Sequence, residues 1–595
     1  MAVQLSKQQY YDSIYGGWLG KNIGGTLGAP MEGRKEVLNL EFFPQKGPLP
    51  NDDLDLQLVW LHALETYGPH LDETHLAEAW LAHVFFNYDE YGYGLTNARK
   101  GLLPPLSGWF DNPFTDCMGS PIRSEIWAMV TPGRPDLAIG YAWCDAVTDH
   151  AGGEGLYGEM FFAAIESAAF IIKDRDQLLE IGLSVIPKTC RVYAAVQEVI
   201  KAHREGRDWL EARNIVLEKH GHHNATDAPQ NIAFTVLGWL YGKDFGDAIL
   251  KAVNCGYDTD CTGATLGAIL GIILGRSGLP KEWIEPVGDE IKVTPTVHGF
   301  EAPKDLRELT ERTYRMGLKV LLMRDALAGL SEEGLAIYPA TDDLTETAAK
   351  LWARNVTSYR RSLSSLEVTV NMGPEGPTVF PGTKRTLTLE VQNTLTSPWV
   401  GTVTLEVEKG WQCSEHRLEL APGESTTVEL SLWPPQELPA YLRMPLVFKR
   451  ELNQRVWSEQ RIPVVFETGR FYRVRQGEGK ETIMGFSGTH LTLPPGPCTA
   501  ITQVISPKEQ RVYLLVATTG GLKAVLNGTT VLESTGTRDF MPAYHRAPKE
   551  NVCQVDLRAG TNELVLELEK TEQVICTFLT SERPLHGVLD LVFKA

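Results

Sequence analysis

The chain has 595 residues, which is too long for one hydrophobic core and predicts about three or four domains. Its 56 Lys and Arg residues against 75 Asp and Glu residues give a net charge of −19. This acidic balance argues against a nucleic-acid partner and against binding to an anionic membrane surface.

Cysteine usage and the first residues bear on the compartment. The nine cysteines include no C-x-x-C pair, which predicts free thiols in a reducing compartment. The first twenty residues lack the basic and then apolar pattern of a signal peptide. The longest apolar run, residues 268–274, is too short to span a bilayer. We therefore expect a cytoplasmic protein.

Helical periodicity dominates the first part of the chain, and strand-like alternation is scarce there. We therefore predict one large, nearly all-α domain over residues 1–350. Within it, glycines recur every four residues from Gly263 to Gly275. Each glycine costs about 1 kcal/mol of helix propensity. Such a row therefore indicates a helix face against which another helix packs closely.

After Arg361 the apolar period becomes two, with turn signals between the runs. This pattern predicts two all-β sandwich domains, over residues 361–468 and 471–595. The first resembles an immunoglobulin-like module, and the second resembles a galactose-binding-like jelly roll. The resemblance implies a carbohydrate contact through the last module, and a structural or dimerising appendage is the alternative.

Two acidic clusters carry the strongest chemical signal, residues 51–55 (NDDLD) and residues 258–262 (DTDCT). Carboxylates placed this closely repel each other unless a cation neutralises them. Their oxygens suit Mg²⁺, Mn²⁺ or Ca²⁺, and the two clusters together could hold a two-metal hydrolytic centre. Because each cluster also precedes a helical run, helix capping is the alternative for each one taken alone.

A glycine-rich block, residues 24–32 (GGTLGAPME), ends at Glu32. Glycines let a backbone turn and approach a ligand. The alternative is a glycine-rich helix terminus with a solvated glutamate, and the block alone favours that alternative.

Four motifs in order resemble the ADP-ribosylglycohydrolase family, the group of dinitrogenase-reductase-activating glycohydrolases and ADP-ribosylhydrolases. They are residues 28–32 (GAPME), Asp52-Asp53, residues 149–158 (DHAGGEGLYG) and residues 256–260 (GYDTD). The match covers about the first 280 to 340 residues. The resemblance implies an all-α orthogonal bundle with a binuclear centre of two Mg²⁺ ions, and Mn²⁺ or Ca²⁺ would also suit its oxygen ligands.

The resemblance also implies roles for individual residues. Glu32 and Asp53 would be catalytic, by orienting or deprotonating a water. The implied metal ligands are Asn51, Asp52, Asp53, Asp258, Asp260 and Thr262. The implied substrate-binding residues are Gly119, Ser120, Asp149, His150 and Tyr157.

Three positions depart from the family pattern. Asn51 replaces a threonine before the paired acids, and its amide oxygen can still coordinate a hard cation. Gly25 stands where an acidic residue is frequent, and Cys261 replaces a threonine after the second acidic pair. A thiol is a poor ligand for Mg²⁺, so Thr262 or Thr259 would act instead, or Asp55 would compensate. The resemblance therefore predicts the metal centre more closely than the substrate.

The resulting hypothesis is a metal-dependent glycohydrolase. It would cleave an anomeric N- or O-glycosidic bond of an ADP-ribosyl or related ribosyl or glycosyl substrate, whether small or protein-linked. One alternative is an inactive family member that serves as a binding or structural protein. The others are a hydrolase specific for glycosides unrelated to ADP-ribose and a carbohydrate-binding protein with a helical scaffold.

Overall fold

The protein is described by a computed structural model that covers residues 2–87, 89–340, 342–536 and 539–595. The chain forms two units. The helical unit consists of residues 2–86 and Phe114–Arg354, and the strand-rich unit consists of Asn87–Pro113 and Asn355–Ala595. Among the described residues, no helix has both the length and the apolar character needed to cross a membrane.

The α-helices of the described residues all end by Trp352. In chain order they are α1 Lys7–Gly28, α2 Asp52–Tyr67, α3 Glu73–His83, α4 Asp89–Lys100, α5 Leu106–Trp109, α6 Ser124–Met129, α7 Pro135–Ala146, α8 Glu154–Ala169, α9 Arg175–Ser184, α10 Arg191–Arg204, α11 Trp209–His220, α12 Ala228–Tyr241, α13 Phe245–Asn254, α14 Thr259–Leu274, α15 Lys281–Ile284, α16 Leu306–Met323 and α17 Leu344–Trp352. Short 3₁₀ helices lie at Ala29–Met31, Pro121–Arg123, Arg276–Gly278 and Lys549–Asn551.

The strands follow mainly after the helices. They are β1 Val3–Ser6, β2 Leu327–Leu330, β3 Gly334–Ile337, β4 Ser358–Ser362, β5 Leu366–Asn371, β6 Thr378–Val379, β7 Arg385–Asn393, β8 Trp399–Leu405, β9 Gln412–Cys413, β10 His416–Leu420, β11 Ser425–Trp433, β12 Tyr441–Leu452, β13 Arg455–Thr468, β14 Arg470–Arg475, β15 Thr482–Phe486, β16 Cys498–Ser506, β17 Gln510–Thr518, β18 Leu522–Leu526, β19 Thr529–Ser534, β20 Val552–Leu557, β21 Gly560–Leu568, β22 Val574–Thr580 and β23 Val592–Lys594. The predicted fold class, a helical domain followed by all-β sandwiches, is confirmed.

The helical unit is all-α apart from one small antiparallel sheet in the order β1-β3-β2. Its organising contact is the packing of α1 against α14. A Cβ on Gly20 would lie 2.0 Å from the carbonyl oxygen of Gly267, and one on Gly24 would lie 1.9 Å from that of Gly263. Only glycine allows two helix backbones to approach this closely. The predicted glycine row is thus confirmed for α14.

The partner row in α1 was not identified from the sequence. It repeats every four residues and runs antiparallel to the row in α14. Its glycines are Gly16, Gly20 and Gly24. The two rows together align the end of α1 with the start of α14, which is where the second acidic cluster lies.

The strand-rich unit contains two β-sandwiches in succession. The first pairs the sheet β10-β8-β12-β13-β6 with the sheet β4-β5-β7-β11-β9 around one core. The second pairs the sheet β15-β14-β16-β21-β18-β19, with β23 beside β16, with the sheet β20-β17-β22. The alternating residues predicted to face inward are buried, among them Leu387, Leu389, Val512, Leu514 and Leu566.

The segment Asn87–Pro113 belongs to the strand-rich unit. The Tyr93 hydroxyl donates to the carbonyl oxygen of Pro542 at 3.0 Å, and Lys100 pairs with Glu467 at 2.5 Å. Leu106 lies in the first sandwich core. The range of 1–350 expected for the helical domain therefore includes a segment whose apolar side chains pack among strands.

Candidate metal centre

The first acidic cluster lies at the start of α2. Asn51 is the N-cap, and its Oδ1 accepts a hydrogen bond from the backbone N–H of Asp53 at 2.9 Å. Capping is therefore the established role of Asn51. Capping by Asn51 does not explain why Asp53 is only 1% exposed or why Asp52 is half-buried.

The second acidic cluster lies at the start of α14. Asp258 occupies the N-cap position, but its side chain makes no cap hydrogen bond. Its backbone N–H donates to Oδ1 of Asn231 at 3.2 Å. Asp258 and Asp260 are both buried, 1% and 6% exposed. Because capping does not use these carboxylates, their burial requires another explanation.

The close packing of α1 and α14 joins the glycine-rich block to the second cluster. A Cβ on Gly28 would lie 2.2 Å from the carbonyl oxygen of Thr259, and the Thr259 hydroxyl donates to the carbonyl oxygen of Gly28 at 2.8 Å. Glu32 follows Gly28 by one short 3₁₀ turn. It thereby lies beside the carboxylates of Asp258 and Asp260.

Two groups of three side chains could each hold a cation. Glu32, Asp258 and Asp260 offer ligand atoms that all lie within 4.8 Å of one another, and so do Asp53, Asp260 and Cys261. Asp260 belongs to both groups. Asp260 would therefore help to hold a cation in either group.

Unsatisfied oxygens and raised pKa values show that the residues fit a cation. Oδ2 of Asp53, Oδ2 of Asp258 and Oδ1 of Asp260 are buried without a hydrogen-bond partner. Burial and the neighbouring carboxylates raise the pKa of Asp53 and of Asp260 to about 8. The same causes raise the pKa of Asp258 well above its usual value. A divalent ion would supply both the missing partner and the missing charge.

One buried cation lies beneath this centre. Nζ of Lys21 donates to Oε1 of Glu125 at 2.8 Å, and both side chains are fully buried. Burial opposes the charge of Lys21, but Glu125 and Asp53 raise its pKa, so the ammonium remains charged. Gln57 donates to the second oxygen of Glu125 and to the carbonyl oxygen of Ile122. This network supports α2 from inside the bundle.

The other residues predicted to be metal ligands belong to neither group of three. Asp52 is near enough to raise the pKa of Asp53 and Asp260, but it belongs to neither group of three. The Thr262 hydroxyl donates to the carbonyl oxygen of Thr259 at 3.2 Å. Their metal roles, like that of Asn51, stay predictions.

A second buried network holds most of the residues predicted to bind substrate. Arg123 donates to both oxygens of Asp149 at 2.8 Å and to the carbonyl oxygen of Gly119 at 2.8 Å. His150 lies 3.0 Å from Asp149 through Nδ1. The Ser120 hydroxyl donates to the buried Glu159.

Three of these side chains are almost completely enclosed in the helical unit. Ser120 and His150 are 0% exposed and Asp149 is 3% exposed, so these side chains present almost no surface to a ligand. Burial alone would raise the pKa of Asp149, but Arg123 and His150 lower it well below its usual range. The structure therefore places these side chains inside the bundle, and their role in substrate binding stays a prediction. Tyr157 is half-buried.

Sequence patterns did not reveal the residues that anchor the two networks. They are Lys21, Gln57, Arg123, Glu125, Asp145 and Glu159, all fully buried. A usable signal was present, because Lys21 is the only charged residue of α1 after Asp12, and Glu159 stands in the apolar face of α8. A buried charge without a partner is too costly to keep, so each such residue predicts a buried partner.

Outside the helical unit, the second sandwich carries an open pocket of about 400 Å³ with a mixed polar and apolar lining. Its lining includes Lys523, Glu533, Glu567 and Glu569. The predicted carbohydrate contact of this module stays a prediction.

Comparison with known proteins connects the centre to a family. The family model described as ADP-ribosylglycohydrolase matches residues 6–319, more than half of the chain. ADP-ribosylarginine hydrolase Tri1 of Pseudomonas putida is 25% identical over 319 residues, which cover 48% of this chain and 77% of that protein. An uncharacterized protein of Archaeoglobus fulgidus is 24% identical over 327 residues, which cover 51% of this chain and 96% of that protein. A solved structure described as an ADP-ribosylglycohydrolase-related protein complex is 21% identical, with a TM-score of 0.37, and the match covers 53% of this chain and 99% of that one.

Proposed function

Because the chain belongs to the ADP-ribosylglycohydrolase family, a family of hydrolases that act on ADP-ribosylated substrates, we propose that it hydrolyses an N- or O-glycosidic bond at the anomeric carbon of an ADP-ribosyl or related ribosyl compound. The observation that carries this proposal is the pair of three-residue groups that share Asp260. Catalytic centres with two cation positions are typical of hydrolases.

The residues present fit two divalent cations. Glu32, Asp258 and Asp260 form an all-oxygen position of the kind that suits Mg²⁺. Asp53, Asp260 and Cys261 form the second position. Bound cations would supply Lewis-acid polarisation of a substrate or water oxygen.

The difference in exposure between the two residues expected to be catalytic supports a different task for each. Glu32 is the exposed carboxylate of the centre, so water and substrate hydroxyls can reach it. In this proposal Glu32 orients the attacking water and accepts its proton. Asp53 is 1% exposed and accepts a hydrogen bond from the Cys261 thiol at 3.5 Å. It therefore serves to hold the centre and to stabilise positive charge that develops at the anomeric carbon.

The first substrate to test follows from the relative in Pseudomonas putida, whose name gives it an action on ADP-ribosylarginine. We expect release of free ADP-ribose from ADP-ribosylarginine in the presence of Mg²⁺. ADP-ribosylserine tests an O-glycosidic bond. A panel of simple glycosides tests the alternative of a glycosidase unrelated to ADP-ribose.

Variants decide whether the proposed centre performs the reaction. Asp260→Asn removes the shared carboxylate, and we expect a loss of kcat of at least about 10²-fold, since one preorganised electrostatic group contributes about this much. Asp174→Asn is the matched control. Asp174 caps α9 by accepting from the N–H of Gln177, and asparagine caps a helix equally well.

Two results would contradict the proposal. Undiminished hydrolysis in Asp260→Asn would show that the reaction occurs elsewhere. Failure to hydrolyse any of these substrates, with bound cations shown by metal analysis, would support the alternative of an inactive binding or structural protein.

A further inference from the structure

The two cation positions differ in ligand chemistry, because only one of them includes a sulfur atom. We propose that the position formed by Asp53, Asp260 and Cys261 binds a thiophilic divalent cation of the Zn²⁺ or Fe²⁺ type through the Cys261 thiolate, while the all-oxygen position binds a hard cation. This inference rests on the proposed function only in using the same centre.

The position is built from buried groups. Asp53 is 1% exposed, Asp260 is 6% exposed and Cys261 is 9% exposed. Oδ2 of Asp53 and Oδ1 of Asp260 are buried without a hydrogen-bond partner, so each carboxylate keeps one oxygen available. The two oxygen ligands and the sulfur lie within 4.8 Å of one another. Sγ of Cys261 lies 3.5 Å from Oδ1 of Asp53, a separation that one tetrahedral ion with ligand distances of about 2.0–2.3 Å can span.

The hydroxyl groups that could replace the sulfur have other bonds. The Thr259 hydroxyl donates to the carbonyl oxygen of Gly28 at 2.8 Å and holds α14 to the end of α1. The Thr262 hydroxyl donates to the carbonyl oxygen of Thr259 at 3.2 Å. Cys261, in contrast, directs its thiol to the carboxylate of Asp53 at 3.5 Å. With the carboxylates of Asp53 and Asp260, the sulfur is the third ligand atom of this position.

Cation binding at the sulfur exchanges one proton for the ion. The Cys261 S–H bond breaks, its proton leaves to solvent, and the electron pair of the thiolate forms the bond to the cation. Thiolates select Zn²⁺ and other thiophilic ions, whereas Mg²⁺ prefers oxygen and keeps several of its waters. A cation position with one sulfur and two carboxylates therefore discriminates against Mg²⁺.

Co²⁺ added alone as CoCl₂ to the metal-free full-length protein is the probe. We expect an intense near-ultraviolet thiolate-to-cobalt absorption that saturates at about one Co²⁺ per chain, together with weaker visible bands. Cys261→Ser removes the near-ultraviolet absorption. The matched control is Cys190→Ser, because Cys190 is a buried N-cap of α10 that accepts from Tyr193, and serine caps a helix well.

A competition experiment uses the wild-type chain and does not depend on the folding of a variant. The metal-free protein is incubated with one equivalent of ZnCl₂ in a large excess of MgCl₂, and the retained metals are measured after removal of unbound ions. We expect about one Zn²⁺ per chain. Cys261→Ser removes a ligand and should weaken Zn²⁺ binding by more than the about 10–100-fold that follows from losing a partner that only orients a ligand.

The inference is overturned if wild-type protein shows no thiolate absorption with Co²⁺, if Cys261→Ser keeps that absorption, or if only Mg²⁺ is retained in the competition. These measurements do not require turnover. Thiolate absorption without hydrolysis of ADP-ribosylarginine would contradict the proposed function alone, and hydrolysis without thiolate absorption would contradict this inference alone.

Discussion

Gly24 and Gly263 pack so closely that a Cβ on Gly24 would lie 1.9 Å from the carbonyl oxygen of Gly263. This contact is one step of the glycine rows of α1 and α14, and it lies one turn from the place where Gly28 meets Thr259. The residues that could hold cations flank this contact. Glu32 follows α1, and Asp258 and Asp260 begin α14, so helix packing and the centre depend on each other.

The first prediction concerns this contact. Gly24→Ala places a methyl group against backbone, which cannot yield as a flexible side chain can, so we expect a loss of at least about 1–3 kcal/mol of unfolding free energy. Bound Mg²⁺ should decrease as well. The control is Gly140→Ala in α7, where an added Cβ meets nothing within 4 Å and should stabilise the helix by up to about 1 kcal/mol. Urea unfolding measures both variants, and equal stabilities would contradict this expectation.

The second prediction concerns the buried pair of Lys21 and Glu125. Lys21→Met leaves the carboxylate of Glu125 buried without its cation, so we expect a loss of about 3–5 kcal/mol in the free energy of unfolding. The double variant Lys21→Met/Glu125→Gln should recover part of that loss. Lys350→Met, in an exposed pair with Glu346, should leave stability unchanged in the same denaturant titration. A double variant no more stable than Lys21→Met would contradict the prediction.

The third prediction concerns pH. The pKa of Asp53 and of Asp260 is about 8 in the folded protein, against 3.8 ordinarily. Below pH 8 both therefore carry protons that a cation must displace. Because Asp260 belongs to the all-oxygen position, Mg²⁺ affinity there should rise from pH 6 to pH 8 with release of its proton. Isothermal titration in buffers of different ionisation enthalpy measures this release, and pH-independent affinity would refute it.

The same pKa values determine how the stability of the metal-free protein depends on pH. Because the folded state holds these protons more tightly than the unfolded state, their stabilising contribution is fully present below about pH 4. It is lost as the pH rises towards 8. Saturating Mg²⁺ should remove the Asp260 part of this loss in thermal unfolding curves.

The fourth prediction separates His150 from Glu32. His150 is 0% exposed beside Asp149, so His150→Ala should cost about 1–3 kcal/mol of stability by leaving buried polar groups unpaired. KM of the folded enzyme should change little. Glu32→Gln alters an exposed carboxylate and should keep the melting temperature while kcat falls. A large rise in KM for His150→Ala at unchanged stability would instead support direct contact with the substrate.

The fifth prediction concerns the segment Asn87–Pro113. Leu106 belongs to the first sandwich core, and Leu102 and Phe110 pack with Val465 of the same sandwich. A truncated chain of residues 355–595 lacks these side chains and should unfold at a lower temperature than the strand-rich unit within the full chain. Added peptide 87–113 should raise that temperature. A truncated chain whose melting temperature is unaffected by the peptide would show that the sandwiches are complete without it.

Much of the architecture could be predicted from local sequence patterns. Strand alternation is such a pattern, so the inward residues of β7, β17 and β21 could be read from it. The glycine row of α14 is likewise local, and it indicated a close helix contact. The two acidic clusters were recognisable for the same reason, because short carboxylate spacing is costly wherever it occurs.

The way in which the residues of the centre group around two positions becomes apparent only in the folded chain. Asn51 caps α2 whereas the Asp258 side chain caps nothing, a distinction that depends on side-chain orientation. Asp260 belongs to both groups of three, which requires two distant helix starts to meet. Local patterns cannot specify such long-range contacts.

The two buried networks likewise depend on contacts between distant parts of the chain. The sequence contains Arg123 and His150, but their enclosure depends on packing among several helices. The segment Asn87–Pro113 belongs to the strand-rich unit because its apolar side chains pack against strands that lie hundreds of residues away in the sequence. The residue types thus determine which side-chain chemistry is available. Packing between distant parts of the chain determines where these side chains come together and which of them solvent can reach.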